Sequence, residues 1–520
     1  FSSSPSLFQP AHGSMTARSF DSLQRQSSAG SSSRSRQLNG GGNSSAFHRQ
    51  STSSSSRSRA HDTIAVEGLV GKDEIRGWYL YDLSFSPYWQ VADVIIKWVL
   101  KRLAENAEKA GEFKMMGMTA GSYPAAVLWL TSAMQVVCLL SFSTFGDYGR
   151  YRKQLLILTT YVCCILLIMS YFCTSARMWW FAGMLRILWG CDFVLTNVYY
   201  NAYLPLLTSQ HPDVLALAGD AAEQREIELS DEISSKGFGC GYCGGMAMQI
   251  ITYMILVLFE CKSNCTDYDR LRWTTLCIAL CGVWWGGFAL YTFRKLKARA
   301  GSPFPADRNI LCLGWQDAWR TLRDVIGLPN TWLYVIGYFI WSDAIATTVN
   351  VASLLLDEDE EGLDSDKLFL LIGATLAMLV GVVFFLKVQK VWGLTSKAML
   401  MAELCSYGVI CTACACGALE SMYFVCMVPI TLMMGSIQAY QRSLYSNLAP
   451  VGKEASMFSF YTITDKGSSL IGYAVIMMVH NLTHSYVGSF WYCAVAFFFS
   501  AWILSRVDMQ QGMRDAGKGG

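Results

Sequence analysis

Apolar residues in this chain come in blocks of about 20, not at the period of a half-buried strand or an amphipathic helix, and that block length is what crosses a bilayer core as a helix. About 12 blocks follow one another, near 78–100, 122–145, 154–174, 178–207, 237–260, 273–293, 330–356, 367–386, 396–417, 420–446, 456–480 and 485–505. The longest polar interruption among them, 294–329, divides them six and six. Before them, residues 1–73 are Ser-rich with scattered Arg and Gly. Such a composition cannot bury enough apolar surface to fold, and it contains no apolar signal core. The pattern predicts an all-α integral membrane protein. Its parts are a disordered cytosolic arm (1–73), a six-helix bundle (74–293), a central cytosolic linker (294–329), a second six-helix bundle (330–507) and a cytosolic tail (508–520).

Composition agrees. The chain is 52% hydrophobic and 15% charged, well below the roughly 25% charged of a soluble domain. A net charge of +2 points to no nucleic acid. Most cysteines lie inside apolar blocks, as Cys163, Cys164, Cys411, Cys414 and Cys416 do, and read as small apolar residues. Arg beside Ser in the arm suits kinases or an anionic lipid surface, although a plain solvated tail is the simpler reading.

Two halves of six helices is the layout of the major facilitator carriers, whose substrate site lies between the halves near the midplane. An even number of spans puts both termini on one side. Basic clusters such as Arg150, Arg152 and Lys153, or Arg294, Lys295, Lys297 and Arg299, follow the even-numbered spans. The positive-inside rule makes those loops and both termini cytosolic. The sequons at Asn264 and Asn481, a Cys261–Cys265 pair and the acidic run Asp357–Glu361 then fall on the lumenal side.

Polar residues inside a membrane are costly and mark working positions. The first span carries Asp82, then Asp93 and Lys97; the fourth Arg186, Asp192 and Asn201; the seventh Asp343; the tenth Gln438 and Arg442; the eleventh Asp465 and Lys466. An interhelical hydrogen bond or ion pair is the structural alternative for each. Asp147 and Arg150, in the loop Phe145–Lys153, resemble the charged turn that latches helices two and three in major facilitator carriers. The glycines from Gly237 to Gly245 read as helix packing. These features point to transport rather than catalysis and imply no cofactor or metal.

Five segments, Arg76–Asp82, Gly146–Lys153, Asn201–Leu207, Ile233–Gly237 and Trp341–Thr347, together with 438–469, resemble the vacuolar amino-acid effluxers of autophagy (the autophagy-related protein twenty-two family). The resemblance covers about residues 74–512. It implies export of neutral amino acids of the leucine, isoleucine and tyrosine class from a vacuolar or lysosome-like lumen. The rings of Ser84–Trp89 depart from the commoner family pattern. The expected mechanism is alternating access, either proton-linked or facilitative. Expected substrate contacts are Asp82 and Asp343 for an ammonium, and Arg442, Asn201 and Gln438 for a carboxylate. Gating or coupling is expected of Asp147, Arg150, Asp192, Asp465 and Lys466, the last two as a latch between halves. A carrier of another organic solute and a non-transporting receptor that recruits partners through the arm are the alternatives.

Overall fold

The computed structural model describes residues 69–113, 119–259, 267–304, 310–356, 365–416, 423–483 and 487–518. Residues 1–68 of the arm, the Asn264 sequon, the Cys261–Cys265 pair and the acidic run 357–361 lie outside them, and the last two residues assigned to the arm, Lys72 and Asp73, already belong to the first helix. The described residues are almost wholly helical, without a named strand. The first half comprises α1 (Lys72–Pro87, a π-helical turn Tyr88–Ala92, then Asp93–Lys109), α2 (Tyr123–Phe142), α3 (Tyr151–Met169), α4 (Trp179–Asn201), α5 (Asp220–Phe259) and α6 (Asp267–Lys295). The second comprises α7 (Pro329–Leu356), α8 (Ser365–Trp392), α9 (Ser396–Ala415), α10 (Tyr423–Leu448), α11 (Glu454–Thr483) and α12 (Ser489–Ser505).

Among the described residues, 8 helices are long and apolar enough to cross a membrane, or 9 if α12 counts together with the helix Met509–Asp515 bent 65° from it. Large apolar side chains such as Trp129, Leu158, Ile165, Val380 and Val495 are exposed on the outside of the bundle, where lipid would cover them. Inside, some hydroxyls bond back to their own helix: Thr160 donates to Leu156 O at 2.6 Å and Thr348 to Ala344 O at 2.8 Å.

Three elements differ from the sequence pattern. α5 begins at Asp220 rather than near 237. Its added turns bury Leu229, Ser230, Ile233 and Ser234 and expose Lys236, so no wholly apolar run marks them. The linker holds an amphipathic helix, Ile310–Ile326. Gly314 of that helix abuts the carbonyls of Leu140 and Ser141, and Trp315 Nε1 donates to Ser141 Oγ at 3.2 Å. α1 runs on to Lys109 through its π-helical turn, which follows Pro87 and turns Tyr88 into the first half to stack on Phe193 at 3.8 Å.

α5 packs on α1 within its own half and on α8 and α10 of the other. Glycine permits this. A side chain at Gly244 would collide with the backbone of Leu83.

Candidate functional site: the charged seam between the halves

The end of the bundle that carries Leu69 and Lys518, here the terminal face, is closed by a charged latch. Ser143–Asp147 form a 3-10 turn after α2, and Gly149 turns the chain back with φ 51°. Asp147 thereby meets the first turn of α11. Its carboxylate accepts from Ala455 N (2.7 Å), Ser456 N (2.8 Å) and Ser456 Oγ (2.6 Å). A carboxylate at a helix N-terminus satisfies free N–H groups and complements the helix dipole. Arg152 donates to Glu454 at 2.8 Å and lies 3.4 Å from Asp147, all three buried. Gly146 lets the turn approach, since a side chain there would meet Tyr199 and Ala455 within 3.0 Å.

Around this latch the face is tied further. Glu74 of α1 receives the Arg299 guanidinium at 2.6 Å, fully buried, and Arg299 also donates to Gln210. Tyr148 OH donates to Asp317 of the linker helix at 2.6 Å. Lys518 Nζ donates to Ser446 O at 2.7 Å and lies 3.7 Å from Glu226. Burial pulls that ammonium below its ordinary value while Glu226 pulls it up.

Deeper in the seam, Arg442 of α10 is held by two helices of the first half, α1 and α5. It donates to Asp82 of α1 at 3.2 and 3.3 Å, and to Ser234 of α5 at its Oγ (3.0 Å) and carbonyl (2.8 Å). The guanidinium lies between the rings of Trp78 (4.8 Å) and Phe238 (4.0 Å). Gly237 leaves the space, for a side chain there would strike Asp82, Trp78 and Arg442 together. Beside this cluster Asp231 accepts from Ser443 at 2.6 Å, from Gln389 at 3.0 Å and from Ser396. Further along, Tyr242 donates to Gln438 at 2.7 Å, and Thr375 of α8 donates to Gln90 of α1 at 3.4 Å.

The candidate residues thus separate into three groups. Asp82, Arg442, Gln438 and Asp147 lie on the seam. Asp82 and Arg442, expected to take opposite ends of a ligand, are each other's partner in this conformation. Asp343 accepts from Tyr492 OH (2.5 Å) and Gly472 N (3.0 Å), which ties α7, α11 and α12 together inside the second half. Asn201 Nδ2 donates to Asn197 at 2.9 Å near the end of α4, and Asp192 stands one turn before Thr196 on the same helix. Arg150 is exposed at the start of α3, and the latching guanidinium is that of Arg152.

Asp465 and Lys466 correct the expected latch. They pair at 3.2 Å, and Asp465 accepts from Ser342 of α7 at 2.5 Å. They stand about three turns beyond Glu454, so the terminal latch is built without them. Arg152, Glu454, Ser234 and the pair Arg186–Asp93 (2.5 Å) are site-forming residues absent from the expected set. Glu454 and Arg152 were visible as charges flanking apolar blocks, whereas Ser234 bore no signal of its own.

Two helical halves joined along a polar seam are the arrangement of the major facilitator fold, and the solved structures agree on that fold. A bacterial homologue of the iron transporter ferroportin in its outward-facing state superposes with TM-score 0.56 at 12% identity, covering 84% of this chain and 98% of that one. The proton:xylose symporter XylE gives 0.54 at 13% identity, covering 84% and 95%. Within that class the chain belongs to the family described as vacuole effluxer Atg22 like, whose model matches residues 70–517. It is 26% identical over 523 residues to autophagy-related protein 22-1 of Phaeosphaeria nodorum, covering 85% of this chain and 91% of that protein. Over 470 residues it is 25% identical to autophagy-related protein 22-1 of Sclerotinia sclerotiorum, covering 77% and 76%. The protein is a multi-pass membrane transporter of this autophagy-linked vacuolar family, not an enzyme.

Proposed function

We propose that this carrier exports neutral amino acids, of the leucine, isoleucine and tyrosine class, from the vacuolar lumen to the cytosol by alternating access. The terminal face is the cytosolic one, with both termini on that side, as the Lys/Arg excess of its loops suggests. One observation carries the reading. Side-chain bonds join the two halves from the terminal latch down to Gln90–Thr375, while charged groups beyond the latch, on α1 and α11, keep part of their surface open. A carrier closed toward the cytosol and open toward the lumen has this arrangement. Export then requires the Asp147–Arg152–Glu454 latch and the Asp82–Arg442 pair to separate as the halves rock. The family description, vacuole effluxer, supports the membrane and the direction.

Counterflow in proteoliposomes tests this. Vesicles loaded with unlabelled leucine should accumulate labelled leucine transiently, and isoleucine and tyrosine should compete. Absence of counterflow with all three amino acids would remove the substrate assignment. The vacuolar assignment is checked by locating the tagged full chain in cells.

A further inference from the structure

Two ion pairs beyond the latch have no part in closing the terminal face. On the first half, Arg186 of α4 meets Asp93 of α1 at 2.5 Å. On the second, Lys466 meets Asp465 on α11 at 3.2 Å. α4 and α11 are neighbours across the seam, and the Lys466 ammonium lies within electrostatic reach of both Asp93 and Arg186. Depth along the helices agrees. Gly146 brings Tyr199 of α4 beside Ala455 of α11. From that level Arg186 is about 20 Å along α4 and Lys466 about 17 Å along α11, at 1.5 Å per residue.

Three of these four side chains keep surface open so far from the face: Asp93 29%, Asp465 35% and Lys466 38%. They therefore line an internal gap. Arg186 is only 5% exposed, yet its Nε and Nη1 have no hydrogen-bond partner. A buried guanidinium with unused donors, paired to one carboxylate and within electrostatic reach of an ammonium, is equipped for a ligand carboxylate.

We infer that Asp93–Arg186 and Asp465–Lys466 together form the substrate site, and that it selects an α-amino acid zwitterion. The ligand carboxylate takes the free donors of Arg186 and the Lys466 ammonium. The ligand ammonium takes Asp93 and Asp465. Charge balance gives the selectivity. Each pair is neutral by itself, so a zwitterion adds no net charge. An amine or an acid lacking the second group leaves one charge unmatched in a poorly solvated place, which is costly. Because two of the groups belong to each half, a zwitterion bridging them draws the halves together. That is the differential contact a rocking carrier requires. The inference rests on the amino-acid reading above and adds the residues and the selectivity rule.

The test uses the full-length protein in proteoliposomes, with leucine counterflow and two competitors that each lack one charge, 4-methylpentanoate and isopentylamine. Only leucine and other zwitterions should compete. Lys466→Gln should raise the half-saturating leucine concentration about ten- to hundredfold, the size of a lost charge-assisted hydrogen bond. Lys466→Arg should restore most of that loss, and Asp93→Asn should act like Lys466→Gln. Equal competition by either single-charge analogue overturns the selectivity rule. Unchanged half-saturation in both Lys466→Gln and Asp93→Asn overturns the site. If a variant fails to fold, as judged by size-exclusion and melting profiles, the competition panel on the unaltered protein still decides. Failure of the unaltered protein to exchange any amino acid would instead remove the amino-acid reading, and this site with it.

Discussion

Arg442 gathers contacts from two pairs of residues far from it in sequence: Trp78 with Asp82, and Ser234 with Phe238. Its charge inside an apolar block is plain in the sequence, as is that of Asp82. Their mutual pairing is not, because 360 positions separate them and hydropathy carries no information on partners. The energetics are asymmetric. Arg442→Met leaves a buried carboxylate without a counter-charge, which costs about 3–5 kcal/mol. The expected outcome is a clear drop in melting temperature in detergent. Adding Asp82→Asn should recover part of it, since the orphaned charge is then gone. Gly237→Ala tests the space rather than the charge. Its methyl would overlap Asp82, Trp78 and Arg442, and overpacking costs about 1–3 kcal/mol. The melting temperature should fall although no polar group has changed.

At the level of elements, the working unit is a turn capping a helix. Asp147 ends the 3-10 turn of the α2–α3 connection and caps α11 of the other half, so the same residue serves local and interdomain structure. The Gly-Asp-Tyr-Gly spacing made the turn legible in the sequence. It did not reveal that Arg152, one position into α3, points at the cap while Arg150 lies outside. Helix rotation decides that, and rotation follows from packing. Asp147→Ala should remove the cap and shift the population toward terminal-open states by about 0.5–2 kcal/mol. In an otherwise unaltered chain carrying Ser443→Cys, an impermeant maleimide should then label that buried position faster. Lys453→Ala provides the contrast. Lys453 also pairs at this face, with Asp324 of the linker helix, but both side chains are nearly half exposed. Exposed pairs contribute about 0–1 kcal/mol, so labelling should not change.

For the whole molecule, the proposed alternating access requires the seam between the halves to open. Ser443 Oγ and Ser230 Oγ face each other across it at 3.0 Å. Introducing Ser230→Cys with Ser443→Cys should allow oxidation to lock the terminal face shut. Counterflow should stop on oxidation and return with reductant, and either single variant should be insensitive. Persistent counterflow by the fully cross-linked protein would show that the seam does not move in transport. The linker helix belongs to this scale too. The sequence marks its region only as the polar interval that splits the chain in two. Folded, it packs on α2 and bonds to Tyr148 and Lys453 on either side of the latch. It is a brace that hydropathy could not have foreseen.

The number of blocks, their division six and six and the Ser-rich composition of the arm are properties of the sequence by itself. So is the family, through short motifs spread over both halves. The physical reason is that a bilayer imposes its thickness and its hydrogen-bonding demand on each span separately, so run length suffices. What the tertiary structure decided is which charge meets which. Asp343 turned out to tie helices inside one half, Asp82 and Arg442 to neutralise each other, and Asp465 with Lys466 to stand beyond the latch rather than in it. Those outcomes depend on helix rotation and on neighbours hundreds of residues away. A local hydrophobic pattern encodes neither.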